Sequence, residues 1–127
     1  MKIAYVDTSF LVAMAFDEPK GKRSAGRLKT FEHRLSANLL EAEFRSALAR
    51  EGVASHGAHF LSWLTWVYPN RPLTKEFNTV LALGQVKGAD LWHLACALFV
   101  APNPRELSFL THDASQKKLA REVGFTV

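Results

Sequence analysis

The sequence predicts one α/β domain over residues 1–127, built as three layers (α/β/α) around a central, mainly parallel sheet of four or five short strands. The chain has 127 residues, of which 48% are hydrophobic and 22% charged, which suits one globular core. Short apolar segments alternate with segments of helical periodicity along its length. The predicted strands are separated by helices and not by hairpin turns, and this alternation is typical of a parallel sheet.

Short apolar runs and the residues that stop them define the elements. In chain order we expect a strand over 3–6, helices over 9–16 and 20–31, a strand over 34–36, helices over 37–50, 55–68, 74–86 and 89–100, a strand over 107–111, a helix over 113–124 and an edge strand over 125–127. Three of the four residues of the first strand are β-branched or aromatic. Pro19 ends the first helix after Asp17 and Glu18, and Gly52 ends the third. The helix over 89–100 is apolar on most sides and is therefore expected to be buried.

Charge and cysteine content limit the classes of function. Sixteen Lys and Arg against twelve Asp and Glu give a net charge of +4, which favours a polyanionic partner. The single cysteine, Cys96, excludes an intramolecular disulfide and lies in an apolar run where inert packing is expected. The sequence shows no secretory signal and no apolar run of membrane-spanning length. We therefore expect a cytoplasmic protein with no membrane association.

Two aspartates follow predicted strands. Asp7 ends the apolar run of the first strand, and Asp113 comes shortly after the strand over 107–111. In a parallel sheet the carboxyl ends of the strands face the functional crevice, so both acids are candidates for a site. Each also has a structural interpretation as a helix cap, and Asp113 with Gln116 has the spacing of a capping box.

Helical geometry separates two glutamates on the helix over 37–50. Glu41 lies four residues before Arg45, the favourable order for an exposed ion pair. Glu43 neighbours Leu39, Leu40 and Ala47 and so lies at the margin of the buried stripe. An ionised carboxylate in that position needs a partner or a cation. Glu43 is therefore the candidate site residue of the two.

Asp90 raises the same question, because the helix that follows it contains no Lys or Arg. A position in the first helical turn would stabilise its charge through the helix dipole, so capping is an open alternative. His93, one turn later, is expected to be a hydrogen-bonded histidine that supports the structure. Four carboxylates brought to one crevice repel one another unless cations neutralise them. All-oxygen ligands favour Mg²⁺ or Mn²⁺, which also bind phosphates.

The segments that carry these acids occur in a familiar order: YVDTS, EAEFRSALAR, GADLWHLACAL and FLTHD, followed by a helix that ends in Gly-Phe. Together they resemble the PIN domain, and most closely the VapC-type toxins of toxin–antitoxin pairs. The resemblance extends from Asp7 to Phe125. It implies a PIN-like fold and a Mg²⁺- or Mn²⁺-dependent endoribonuclease.

The resemblance also implies a role for individual residues. Asp7, Glu43, Asp90 and Asp113 would be the catalytic and metal-binding acids, and Ser9, Thr8 and Thr111 would be the supporting hydroxyls. RNA phosphodiester bonds would be cut by an activated water, with no covalent intermediate. A cognate antitoxin and a homodimer are the implied protein partners. Whether the site takes one metal ion or two stays open.

Other features have two interpretations each. The densest run of positive charge could lie along an RNA path or form a solvated helix face; it comprises Lys20, Lys22, Arg23, Arg27 and Lys29. Trp66 and Tyr68 are expected at a partner surface, with core burial as the alternative. His56 and His59 have the spacing of a metal-binding pair but lack a third ligand.

Two alternatives compete with a nuclease. A phosphoacceptor role for Asp7 would require a second aspartate beside it or two positions later, and the sequence has Thr8 and Ser9 there. The second alternative is a catalytically silent PIN-like module that binds RNA or a protein.

Overall fold

Four short parallel strands form the centre of the fold. In this computed structural model, which describes residues 2–16, 19–53 and 57–127, the strands are β1 (Ile3–Val6), β2 (His33–Ala37), β3 (Thr65–Val67) and β4 (Leu107–Leu110). Their order across the sheet is β3-β2-β1-β4, and every pairing is parallel. The register aligns Val6 with Leu110, so β1 and β4 end side by side. The predicted fold class is therefore confirmed.

Helices connect the strands and cover both faces of the sheet. They are α1 (Thr8–Ala15), α2 (Pro19–Leu28), α3 (Leu39–Arg50), α4 (Thr74–Leu81), α5 (Gly88–Val100) and α6 (Ala114–Val123), with 3-10 turns over Ala58–Trp63 and Pro104–Glu106. Gly52 and Gly124 follow α3 and α6 with φ of 72° and 118°, a left-handed conformation that glycine adopts at little cost. Both predicted glycine stops are thus borne out.

The alternation of side chains along β1 separates two cores. Tyr5 points towards the face covered by α4, α5 and α6, where its ring stacks on that of Phe109 with 5.4 Å between centroids. Ala4 and Val6 point to the opposite face, where they pack with residues of α1, α2 and α3. This alternation is the period-two pattern of a strand buried on both faces. It produces the three layers that the sequence predicts.

The helix predicted over 55–68 is wrong. From Ala58 the chain forms a 3-10 turn and then β3, whose residues pair with β2. Leu61 and Leu64 are buried, and their spacing of three residues suits a 3-10 turn as well as an α-helix. The β-branched and aromatic run that follows favours a strand.

The two aromatic residues expected at a partner surface differ in exposure. Leu61 is buried, and Trp66 is partly buried against the core of α1, α2 and α3. Tyr68 is 65% exposed. Residues 17, 18, 55 and 56 fall outside the described residues, and with them the loop at Asp17 and Glu18 and the His56 half of the histidine pair.

The last three residues contribute one bridge instead of the predicted edge strand. Thr126 forms a parallel bridge with Ser108. Its carbonyl accepts a hydrogen bond from the backbone N–H of Phe109 at 2.7 Å, and its own N–H donates to Leu107 at 3.2 Å. Among the described helices, none combines the length and the apolar character that crossing a bilayer requires.

Candidate active site

The candidate site lies where β1 and β4 end. Asp7 directly follows β1, and its backbone N–H donates to the carbonyl of Leu110 at 2.9 Å, which extends the β1–β4 pairing by one residue. Thr111 and Asp113 follow β4 on the neighbouring side. Helices α1 and α6 begin at this edge, so their amino-terminal ends and positive dipoles face the same region.

Asp7 is buried, with 4% of its surface exposed, and one of its oxygens is held from three directions. Oδ2 accepts hydrogen bonds from Ser9 Oγ at 2.6 Å, from Thr111 Oγ1 at 2.9 Å and from the backbone N–H of Ser9 at 3.3 Å. The last contact is a helix cap of α1, so the capping interpretation is correct. Capping does not exclude a place in the site, because the cap uses one of several contacts that Ser9 and Thr111 make with Oδ2.

Gln116 also holds Asp7, although the sequence indicates it only as a capping partner. The side chain is fully buried. With its amide nitrogen towards Asp7, it donates to Oδ2 at 3.0 Å and to Oδ1 at 3.2 Å. The signal that could have identified it is its position on the inward stripe of α6, three and four residues before buried Leu119 and Ala120. A polar residue on such a stripe needs a buried partner.

Asp113 caps α6 as the sequence predicts. Its Oδ1 accepts from the backbone N–H of Gln116 at 3.0 Å. Its own backbone N–H donates to Thr111 Oγ1 at 3.0 Å, so the Thr111 hydroxyl contacts both Asp113 and Asp7. Asp113 is exposed to solvent, unlike Asp7. The Thr111 hydroxyl thus contacts both residues that follow the strands, of which Asp7 is buried and Asp113 is exposed.

Glu43 reaches the site from α3 and is held by two side chains of other elements. Its Oε1 accepts from Thr8 Oγ1 at 2.8 Å and lies 2.8 Å from Nε2 of His93. The hydrogen bond from His93 lowers the pKa of Glu43, against the opposing effect of burial, and Thr8 lowers it further. Glu43 is therefore ionised at neutral pH.

His93 connects Glu43 to the interior of the protein. The ring is 1% exposed, and its Nδ1 lies 2.7 Å from the hydroxyl of Tyr5. The Tyr5 hydroxyl accepts the backbone N–H of Ala37 at 3.1 Å. Because Glu43 is an acceptor, Nε2 carries a proton, and in the neutral ring Tyr5 donates to Nδ1. Burial raises the pKa of Tyr5 well above its ordinary value. The phenol therefore stays protonated and can donate the hydrogen bond to Nδ1 of His93.

Asp90 lies in the first turn of α5, as predicted, and is half-buried. No hydrogen bond or salt bridge to its carboxylate occurs among the described residues. Burial raises the pKa of Asp90, and the negative charges of Asp7 and Asp113 raise it further, with a smaller effect of Glu43. Asp90 is thus close enough to Asp7, Asp113 and Glu43 to be repelled by their charges. Asp90 and Asp113 line an open cleft of about 610 Å³, whose other lining residues include Lys87 and Ser115.

Three other side chains that the sequence analysis considered form no hydrogen bond or salt bridge with the four acids among the described residues. Glu41 pairs with Arg45 at 2.8 Å on the surface of α3, as predicted. Cys96 is buried, and burial raises the pKa of its thiol to about 12, which excludes a reactive thiolate. His59 is exposed and packs its ring against Phe60.

The chemistry of the four acids suits a hard divalent cation. All their donor atoms are oxygen, and the only basic side chain that pairs with any of them among the described residues is that of His93, which is hydrogen-bonded to Glu43. Within 2–16, 19–53 and 57–127, no three His, Cys, Asp or Glu side chains are placed to enclose a metal ion by themselves. Mg²⁺ commonly uses one or two carboxylates and keeps several waters, so an open cluster of this kind fits it.

Comparisons of the chain with protein-family models, with curated proteins and with solved structures give no match.

Proposed function

We propose that this protein is a metal-dependent endoribonuclease that hydrolyses RNA phosphodiester bonds, the toxin of a VapBC-type toxin–antitoxin pair. The observation that supports this proposal is the convergence of Asp7, Glu43, Asp90 and Asp113 at one edge of a parallel sheet. Burial raises the pKa of Asp90, and repulsion by Asp7 and Asp113 raises it further, so a cation at this place would stabilise the ionised carboxylate. The motif order of the PIN domain connects that cluster with RNA cleavage.

The proposal gives the four acids a common role and the residues around them supporting ones. Asp7, Asp90, Glu43 and Asp113 would hold Mg²⁺ or Mn²⁺, which supplies a water of lowered pKa and neutralises phosphate charge when bound. Ser9, Thr111 and Gln116 fix the position of the Asp7 carboxylate.

The remaining contacts keep Glu43 in place and charged. Thr8 and His93 orient the Glu43 carboxylate and lower its pKa. The ionised carboxylate can therefore bind a cation directly. Asp90, whose carboxylate has no partner among the described residues, is the acid most responsive to a cation. The chain thus supplies an oriented, negatively charged pocket and no side-chain nucleophile.

The charge of the rest of the chain supports an anionic substrate. Apart from the four site acids, the sequence has eight acids and sixteen Lys and Arg, a surplus of eight positive charges. Such a surplus attracts phosphates in a salt-dependent way and without regard to sequence. A cytoplasmic location, a homodimer and a cognate antitoxin that blocks the acidic crevice belong to the same proposal.

The experiment that tests the proposal is cleavage of a mixed RNA pool by antitoxin-free protein. Mn²⁺ or Mg²⁺ is compared with chelator, and the wild type is compared with Asp7→Asn and Asp90→Asn purified in the same way. We expect metal-dependent cuts that disappear in both variants. Circular dichroism must show that the variants fold, because Asp7 also caps α1.

The result also separates the alternative of a catalytically silent module. A binding module would retain RNA in chelator and produce no cuts with any metal. Wild-type protein that stays silent on every RNA, or variants that cut at the wild-type rate, would contradict the nuclease proposal.

A further inference from the structure

A second cleft lies on the α2 side of the site. It has a volume of about 280 Å³, and Lys20, Arg23 and Arg27 line it from one face of α2. We propose that this cleft binds a backbone phosphate of the RNA strand beside the bond that is cut. That the bound strand is RNA rests on the proposed function. The binding itself rests on residues of the cleft, which are not among the four site acids.

The three cations share a face because of their helical spacing. Residues three and four positions apart lie on one side of an α-helix, and all three are exposed there. None of the three forms a salt bridge with any residue in the part of the chain that the structure describes. Three positive side chains around one concave surface repel one another, and an anion relieves that repulsion.

The wall opposite α2 is built by His112 and Phe10. Their rings stack with 4.9 Å between centroids and an interplanar angle of 11°. His112 Nε2 lies 2.7 Å from the hydroxyl of Ser24, which is 4% exposed and donates to the carbonyl of Lys20 at 2.8 Å. Because the one Ser24 proton is used there, His112 donates to Ser24. This bond fixes the basic face of α2 against the turn that follows β4.

The same turn connects the cleft with the acids. The backbone N–H of His112 donates to Ser9 Oγ at 2.9 Å, and Ser9 Oγ donates to Asp7 Oδ2 at 2.6 Å. His112 also directly precedes Asp113 in the chain. Ser9 thus lies between His112, which lines the basic cleft, and Asp7 of the acidic site. A phosphate in the cleft would therefore be next to the acids. Acidic and basic surfaces side by side suit a strand that places one phosphodiester in each.

The position of α2 is fixed by a close contact with α1. A Cβ added at Gly21 would lie 2.1 Å from the carbonyl oxygen of Ala13, so only glycine permits the observed approach. This close approach sets where α2, and with it the basic face, lies relative to α1.

The test measures RNA binding without cleavage. A labelled single-stranded RNA of about twenty nucleotides is titrated in chelator at about 50 and 200 mM salt, with fluorescence anisotropy as the readout. The cleft variant carries Lys20→Gln, Arg23→Gln and Arg27→Gln. The matched control carries Lys75→Gln, Arg105→Gln and Arg121→Gln, which removes the same charge from exposed positions outside the cleft. Thermal unfolding verifies that all proteins fold.

We expect the cleft variant to bind about tenfold more weakly at the lower salt, with a salt slope smaller by about 0.7 for each phosphate that the variant no longer neutralises. The control is expected to bind within about twofold of the wild type. Its three substituted residues lie outside the cleft, so they remove only long-range attraction to the RNA. Equal weakening of both variants would overturn the proposal, since the effect would then follow net charge. Unchanged affinity of the cleft variant would overturn it as well.

Cleavage in Mn²⁺ is scored separately and distinguishes the two failures. If the wild type cuts RNA while the cleft variant binds normally, the nuclease proposal stands and the phosphate cleft is rejected. If the cleft variant loses binding and the wild type never cuts, the cleft is supported and the nuclease proposal is rejected. Wild type that neither binds nor cuts RNA would contradict both.

Discussion

The hydroxyl of Thr111 donates to Oδ2 of Asp7 at 2.9 Å, although 104 positions separate the two residues in the chain. The same hydroxyl accepts the backbone N–H of Asp113 at 3.0 Å. One short side chain therefore connects both strand-end acids, and it is 3% exposed. A buried carboxylate depends on such donors, because water cannot replace them.

Thr111→Val should lower the free energy of unfolding by about 1–3 kcal/mol, since it removes a hydrogen bond to a buried charged group while keeping the side-chain shape. Urea unfolding at neutral pH measures the effect. Thr79→Val, at an exposed position on α4, is the control and should change stability by no more than about 0.5 kcal/mol. Equal effects of the two substitutions would show that the Thr111 bond contributes nothing.

Glu43→Gln should reduce metal-dependent RNA cleavage by about a hundredfold or more, the range expected when one electrostatic group of a site is removed. Glu41→Gln is the matched control, because Glu41 lies on the same helix in an exposed ion pair with Arg45. It should retain cleavage within about twofold. Comparable losses in both variants would contradict the assignment of Glu43 to the site.

Tyr5→Phe should destabilise the protein by about 1–3 kcal/mol, because it leaves the N–H of Ala37 and Nδ1 of His93 without a partner in the interior. Denaturant unfolding compares it with Tyr68→Phe. Tyr68 is 65% exposed, so its hydroxyl is replaced by water and the variant should match the wild type. A stable Tyr5→Phe protein would mean that the hydroxyl makes no net contribution.

Asp90→Asn should make the metal-free protein more stable and abolish cleavage. Burial and neighbouring acids raise the folded-state pKa of Asp90 above its ordinary 3.8, so the charged form destabilises the fold at neutral pH. The amide removes that charge. In chelator the variant should therefore unfold at a higher temperature than the wild type.

Manganese provides the complementary measurement for Asp90. A cation that binds only the folded state raises the unfolding temperature of the wild type with concentration. Asp90→Asn should lose most of this shift, whereas Glu122→Gln, an exposed acid near the end of α6, should keep it. A variant that is less stable in chelator would contradict the repulsion on which this prediction depends.

The ion pair of Arg71 and Glu76 should make stability depend on acidity away from the site. Arg71 donates to both oxygens of Glu76, at 2.6 and 3.0 Å, and this lowers the pKa of Glu76 below its ordinary 4.5. The pair stabilises the fold at neutral pH, and the contribution disappears as the pH falls through the lowered pKa.

Glu76→Gln tests this dependence. The variant should be less stable than the wild type at pH 7, and the difference should vanish in acid below the lowered pKa. Urea unfolding over this pH range measures it. A difference that persists unchanged in strong acid would assign the effect to packing and not to charge.

The sequence predicted the features that follow from local patterns. Alternating apolar strands and amphipathic helices indicated the parallel sheet, and strand ends indicated Asp7 and Asp113 as neighbours. Helical geometry separated Glu43 from Glu41, and the structure places them as expected, one beside His93 and the other beside Arg45.

What the sequence could not predict depends on contacts between distant elements. Nothing near Gln116 in the chain indicates that its amide reaches Asp7, and nothing near Tyr5 indicates a histidine 88 positions away. The segment after Ala58 was predicted wrongly because a 3-10 turn and an α-helix both bury residues three apart. Pairing with β2 then decided in favour of a strand, and local propensity carries no information about that pairing.

Tyr5 has no exposed surface, and its ring belongs to the core that packs against Phe109. Its hydroxyl is nevertheless separated from Glu43 by a single imidazole. Attempts to redesign this core for higher thermal tolerance must therefore treat Tyr5 as part of the site. An aliphatic residue at this position would remove the hydrogen bond that holds the His93 ring. The Glu43 carboxylate, which His93 orients, would then lose its fixed position.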